Sequence, residues 1–212
     1  MISPDKRRYR QFCGTARALD VVGERWTLLI VRNLLLGPRR YSDLLSELPG
    51  LTTNLLAVRL REMREHGLVE SVSASGVREH YGLTARGAAL ERVIVELSRW
   101  GAGLMDAPRE DDRIDVGLAL LSLKPRYRGV EHEGTLLLKM DERAFTLHLG
   151  ISALRVTDRA LPYADARVTL TPIQLVGAVI RGGGPSLNQL RKDGALGFEG
   201  DKAVLRAFER AV

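Results

Sequence analysis

Apolar residues in the first half of the chain recur at helical spacing, and they mark out a run of short helices. Ala16 to Gly23 (ARALDVVG) predicts a short helix ended by glycine. Glu24 to Leu36 (ERWTLLIVRNLLL) predicts a second, strongly apolar helix closed by Gly37-Pro38, and Tyr41 to Leu48 (YSDLLSEL) a third with Ser42 as candidate cap. Pro49-Gly50 turns the chain into a fourth helix. There Thr52 and Thr53 offer hydroxyls to the free N–H groups of the first turn. Leu56, Leu60 and Met63 fall on one face, and Gly67 stands where a left-handed C-terminal residue would stop the helix. At about 100° per residue, Asn54, Leu55, Val58, Arg61 and Glu62 lie opposite that apolar stripe, with Arg59 and Arg64 on its flanks.

A hairpin follows directly. Leu68 to Val72 has strand character, Ser73 to Gly76 is turn chemistry, and Val77 to Leu83 returns as a second strand carrying Arg78, His80 and Tyr81. Three helices, a turn and a wing make a winged helix-turn-helix. A helix sized for the major groove, followed by a basic wing, points to DNA reading. Asn and Arg can form paired hydrogen bonds to adenine and guanine edges, and Val58 suits a thymine methyl. The candidate DNA-binding residues are Thr52, Thr53, Asn54, Val58, Arg59 and Arg61 in the helix and Arg78 in the wing, where it could pair with phosphate or enter a minor groove. His80 and Tyr81 read as a half-buried strand face, and His80 has no second metal ligand at suitable spacing. Beyond the wing, Thr84 can cap a helix whose Leu90, Val93, Ile94, Leu97 and Trp100 form a wide apolar stripe ending at Gly101. That is more apolar surface than a small three-helix domain covers by itself, so it meets either a second copy of the chain or the chain's own second half.

Asp106 to Arg113 (DAPREDDR) breaks the apolar pattern, so the domains are expected at residues 1–107 and 113–212. In the second part, Ile114 to Lys124 reads as an apolar helix, and Gly134 to Met140, Ala144 to Gly150, Ala153 to Asp158 and Ala166 to Thr171 as strands. Phe145, Leu147 and Leu149 alternate with Thr146 and His148, giving one buried and one polar face. Asp141 to Arg143 is a hairpin connection, and Pro172 opens a helix through Ile180. Gly182-Gly183-Gly184-Pro185 is a break, Ser186 to Lys192 a short helix, Ala195 to Glu199 a strand, and Asp201 caps a final helix to Val212. The fold class is α+β: a winged helix-turn-helix followed by a small α/β domain.

Two resemblances sharpen this reading. CGTARALDVVGERWTLLIVRNLLLGPRRYSDL, LPGLTTNLLAVRLREM, REHYGLTARG and ELSRWG occur in order between Cys13 and Gly101, and together they resemble the HxlR-type bacterial transcription regulators. The resemblance implies a homodimer on operator DNA, with Leu51 to His66 as the recognition helix. Two-fold pairing would hold two such helices about 34–36 Å apart and predicts a palindromic double-stranded site. YADARVTLTPIQLVGAVIRGG followed by LNQLRKDGALGFEGDKAVLRAFERA resembles the sterol carrier protein type-two fold, well from Tyr163 to Val212 and only in outline from Ile114 to Leu161. That resemblance implies a sterol-carrier-like domain around an apolar cavity, either open to a small apolar ligand or filled by side chains.

Composition changes the picture little. The chain has 212 residues, 45% hydrophobic, with formal net charge +6 and a pI near 9.8. This suits a nucleic-acid binder rich in arginine, which pairs with phosphate and guanine better than lysine does. Neither an 18-residue apolar run nor a secretory signal is present, so a cytoplasmic protein without membrane partners is expected. The basic arm Lys6 to Arg10 is either a backbone contact or a disordered end. Cys13 is the single cysteine. Similar regulators use a cysteine at this place to sense oxidants, with proline after it where this chain has Gly14; Arg7, Arg8, Arg10 and Arg17 are near it in sequence and could lower its pKa. Its alternative role is a small buried thiol. The four histidines, His66, His80, His132 and His148, stand in four separate elements without a catalytic or metal motif, and the glycine run lacks the lysine and hydroxyl of a phosphate loop. The expectation is therefore a regulator and not an enzyme, with no cofactor and no metal. Two alternatives stand beside it: a redox sensor acting through Cys13, and a lipid carrier whose winged helix mediates protein contacts.

Overall fold

The structure, a computed structural model, describes residues 8–72, 80–104, 115–140, 142–180 and 185–212. The hairpin tip with Arg78, the start of the basic arm, the break at Asp106 to Arg113, Asp141 and the run Gly182 to Gly184 lie outside the described residues. The chain divides into two compact units, residues 1–94 and 95–212.

The first unit is built from α1 (Gly14–Val22), α2 (Thr27–Leu34), α3 (Tyr41–Glu47) and α4 (Thr53–Glu65), with a small sheet of β1 (Arg39–Arg40), β2 (Val69–Val72) and β3 (His80–Leu83) in the order β1-β3-β2. Its core joins Ile30, Val31 and Leu34 of α2 to Leu44 of α3 and to Leu56, Leu60 and Met63 of α4. Burying each such side chain is worth about 1.5–3 kcal/mol. Local chemistry sets the ends of α4. The Thr52 hydroxyl accepts the Leu55 N–H at 3.4 Å. At the far end Gly67 takes φ +66°, while the Leu68 and Gly67 N–H groups bond to the Met63 and Arg64 carbonyls at 2.8 and 2.9 Å. This pair of bonds is the glycine-dependent Schellman closure.

Ser42 does not cap α3. Arg39 and Arg40 pair with Tyr81 and His80 of β3, which holds the chain extended up to Arg40. The Asp43 carboxylate accepts the Arg40 N–H at 3.1 Å, and Ser42 lies one residue inside the helix. Thr84 caps as expected: its hydroxyl accepts the Gly87 N–H at 3.1 Å and donates to the Gly67 carbonyl at 2.6 Å. The apolar stretch after it is broken into α5 (Ala85–Ala88) and α6 (Glu91–Ala102). Ile94 packs into the core, whereas Val93, Leu97 and Trp100 are 48%, 47% and 69% exposed on α6.

The second unit holds α7 (Val116–Leu121), β4 (Gly134–Met140), β5 (Arg143–Leu149), β6 (Leu154–Thr157), β7 (Ala166–Thr169), α8 (Pro172–Leu175), α9 (Leu187–Lys192), β8 (Gly197–Gly200) and α10 (Lys202–Ala211). The strands form one sheet in the order β6-β5-β4-β7-β8. β4 and β7 are parallel and the other neighbours antiparallel. One face, with Leu136, Leu138, Phe145, Leu147 and Val168, is buried in a core to which α10 adds Leu205 and Phe208. α8 widens after one turn into a π-helical Val176–Ile180, where a single helix was expected. The connection from β6 must cross β5 and β4 to reach β7, and it runs over the second face. Thr146 lies on that face yet is fully buried, because its hydroxyl donates to the Arg159 carbonyl (2.8 Å) and accepts the Leu161 N–H (3.2 Å) of the crossover.

Candidate nucleic-acid interface

α3, the turn at Leu48 to Thr52 and α4 form the helix-turn-helix. The Tyr41 hydroxyl, at the start of α3, donates to the Thr53 carbonyl at 2.5 Å and fixes the entry of α4. A polar network fastens the scaffold behind it. Buried Arg39 donates through Nε to Glu47 at 3.1 Å, Asn33 donates to the other Glu47 oxygen at 2.9 Å, and Arg32 donates to Asn33 at 3.1 Å. Asn33 and Arg39 are almost fully enclosed, so these partners offset a desolvation cost that would otherwise be large.

α4 then presents two different faces. Toward solvent stand Thr53, Asn54, Ala57 and Arg61, all exposed, with Val58 half-buried beside them. Thr52 is exposed at the N-cap. Leu55, expected on this outer face, packs partly against the core, and Glu62 is drawn aside. Arg59 corrects the sequence-based set. Only 6% of it is accessible, and its guanidinium pairs with Glu24 at 2.9 Å and with Glu62 one turn on. Two carboxylates turn this side chain inward, so its charge closes the back of the domain instead of facing a ligand. Ala57, one turn after Asn54 and one before Arg61, lies on the same outward row and was visible in the helical period. Arg40 was not singled out in the sequence. It is exposed on β1 beside the wing, in a two-residue strand that no local pattern predicts.

The wing is tied to the same helix. Arg64 donates to the Ser71 hydroxyl of β2 at 2.9 Å and lies over the Tyr81 ring of β3, 5.7 Å from its centroid. His80 and Tyr81 are half-buried strand residues. Among the described residues, no group of three or more His, Cys, Asp or Glu side chains could hold a metal ion.

Cys13 is exposed at the N-cap of α1. The backbone N–H groups of Ala16 and then Thr15 at the open helix end hold its thiol pKa below the ordinary value, against a small opposing effect of desolvation. Among the described residues the neighbouring arginines Arg8, Arg10 and Arg17 do not supply that effect, and Arg17 pairs with Asp20 at 3.7 Å instead; Arg7 lies outside the described residues.

With this geometry in place, the likeness to known proteins is specific. Residues 21–109 match the family model of the HxlR-like helix-turn-helix. Over 92 residues, 42% of this chain and 85% of the relative, the chain is 36% identical to the uncharacterized HTH-type transcriptional regulator YvaP of Bacillus subtilis. Among solved structures, the transcription-factor candidate PA1607 is 39% identical over 50% of this chain and 73% of its own, with a TM-score of 0.44. The quinone-bound YodB of B. subtilis is 31% identical over 43% and 99%, with a TM-score of 0.38.

Proposed function

Because this chain belongs to the HxlR-like helix-turn-helix family of transcriptional regulators, we propose that it reads a specific double-stranded operator as a homodimer. The observation that carries this reading is the split of α4 into a locked back and an open front. Thr53, Asn54, Ala57, Val58 and Arg61 face outward from a helix whose inner face and only buried arginine are fully engaged. Arg61 and Asn54 supply base-edge hydrogen bonds, Ala57 and Val58 apolar contacts, and Thr52, Thr53 and Arg40 phosphate contacts, with Arg78 of the wing added to the set. The exposed row Val93, Leu97 and Trp100 on α6 is the surface on which two copies would pair, and pairing there makes the operator palindromic. Titrating a labelled fragment from upstream of the gene against an unrelated fragment, at several salt concentrations, tests the reading. A preference of about a thousandfold or more is expected. Equal affinities that both fall steeply with salt would indicate phosphate binding alone and refute it for that fragment.

A second reading rests on Cys13. Its exposure and depressed pKa suit attack on an electrophile, and the similar YodB has been crystallised with a quinone. In this reading benzoquinone weakens operator binding by the wild type, and Cys13→Ser abolishes the response without altering binding by the untreated protein. An unchanged response in the variant excludes it.

For the second unit, the element order that carries the likeness to the sterol-carrier fold (a helix, three strands, a crossover, a strand, a helical segment, a strand and a helix) supports a ligand-binding or assembly role. On this unit a cavity of about 590 Å³ is lined by charged and polar residues (Glu133, Thr135, His148, Arg155 and Asp165) together with apolar ones (Leu149, Ile151 and Ala153).

A further inference from the structure

That cavity carries an inference independent of the DNA-binding reading. It opens on the sheet face that the crossover covers elsewhere, and the sheet order arranges the chemistry around it. Arg155 of edge strand β6 pairs in register with His148 of β5, which pairs with Thr135 of β4. Asp165, the last residue before β7, closes the row: its carboxylate accepts the Thr135 N–H at 2.7 Å, and its own N–H donates to the Thr135 carbonyl at 3.0 Å. Neighbouring strands lie about 4.8 Å apart, so a cation at one end and a carboxylate at the other are held about 10–15 Å apart at backbone level, with a half-buried imidazole between. The Asp165 carboxylate reaches back to the Thr135 N–H, which shortens the gap. Glu133 adds a second carboxylate: its Oε1 lies 3.7 Å from where a Cβ on Gly150 would stand, at the strand end. His148 stays neutral more readily than a free histidine, because burial and then the Arg155 charge lower its pKa. It therefore offers hydrogen bonding without a second positive charge.

A ligand with one kind of charge would satisfy one end of this row and be repelled by the other. We propose that the cleft binds a small amphoteric molecule, with its anionic group, a carboxylate, on Arg155 and its ammonium group on Asp165 and Glu133, while His148 hydrogen-bonds the middle.

The test uses three four-carbon molecules on the full chain: 4-aminobutanoate, succinate and 1,4-diaminobutane, titrated by calorimetry and by the ring resonances of His148, assigned with His148→Gln. The zwitterion is expected to bind at least about tenfold more tightly than the dianion or the diamine. Arg155→Gln and Glu133→Gln are each expected to weaken it by a similar factor, and Glu133→Gln leaves the Thr135–Asp165 hydrogen bonds in place. Glu199→Gln, on β8 away from the row, serves as control and leaves binding unchanged. Succinate binding best and depending on Arg155 alone would make the cleft an anion site. Diaminobutane binding best and depending on Glu133 alone would make it a cation site. Either result overturns the proposal, as does the absence of saturable binding at about 10 mM zwitterion.

Discussion

The two units use charge in opposite ways. In the first, charged side chains that point inward are paired, as Arg59 is with Glu24 and Glu62 and Arg39 with Glu47, while Arg61 and Arg40 stand outward. In the second, residues on or beside four neighbouring strands line a cleft, with Arg155 at one end and Asp165 at the other. A helix displays its surface at a fixed period, so a reader of an extended polymer can be built on one element. A cleft for a small molecule needs residues that only the sheet order brings together.

The largest effect expected from breaking this comparison lies in the second core. Phe145→Ala removes a fully buried ring and should cost about 3–5 kcal/mol. In urea, the transition reported by the far-UV signal of the sheet should move, while that reported by Trp26 in the first core stays. Joint movement of both signals would mean that the units do not unfold separately.

The pair Arg59 and Arg61 sharpens it further. Arg59→Met removes the shared guanidinium from beside Glu24 and Glu62. Because Glu24 and Glu62 are partly exposed, they rehydrate, and the loss should be about 1–3 kcal/mol, below the figure for a fully buried pair. Arg61→Ala, two positions on, should change stability by less than about 0.5 kcal/mol. Equal destabilisation by the two variants would erase the distinction between back and front.

Gly87→Ala comes next. An added Cβ would meet the Leu68 carbonyl oxygen at 2.0 Å, so the junction of wing and α5 must shift, at a cost of about 1–3 kcal/mol in chemical denaturation. Thr52→Ala removes the α4 cap and should cost about 1 kcal/mol.

The smallest effect is electrostatic and belongs to the second unit. Asp115 caps α7 through the Leu118 N–H at 3.0 Å and pairs with Arg143 at 2.8 Å, and Arg143 also holds Asp158 at 2.9 Å. Burial pushes the Asp115 pKa up, but the Leu118 N–H and Arg143 together pull it below its ordinary 3.8. A depressed carboxyl stabilises the fold above its unfolded pKa and loses that contribution as pH falls from 3.8 through the lower folded value. Arg143 is well exposed, so less than about 1 kcal/mol is involved. Asp115→Asn should flatten the acid limb of the unit's stability profile by that amount.

What was legible in the sequence follows the same divide. Thr52, Gly67, Thr84 and Asp201 act on neighbours within a turn, and the ends they predict lie within a residue or two of the observed ones. The outer face of α4 was legible because 100° per residue is fixed by the backbone. The inward turn of Arg59 was not, since it depends on Glu24, distant in sequence. β1 escaped notice because two residues become a strand only when β3 lies beside them. The cleft was invisible for the same reason: Arg155, His148, Thr135 and Asp165 have no common spacing, and Thr146 looked solvent-facing until the crossover covered it.

The central claim is that the open front of α4, and not general positive charge, selects the DNA. Competition anisotropy on the upstream fragment, comparing wild type with Arg61→Ala at one fixed salt concentration, tests it most directly. The account predicts a loss of about 1–3 kcal/mol on the upstream fragment, with specificity relaxed at one base pair and the wild-type fold retained. Operator affinity unchanged in Arg61→Ala, or an equal loss on the upstream and unrelated fragments, would contradict it.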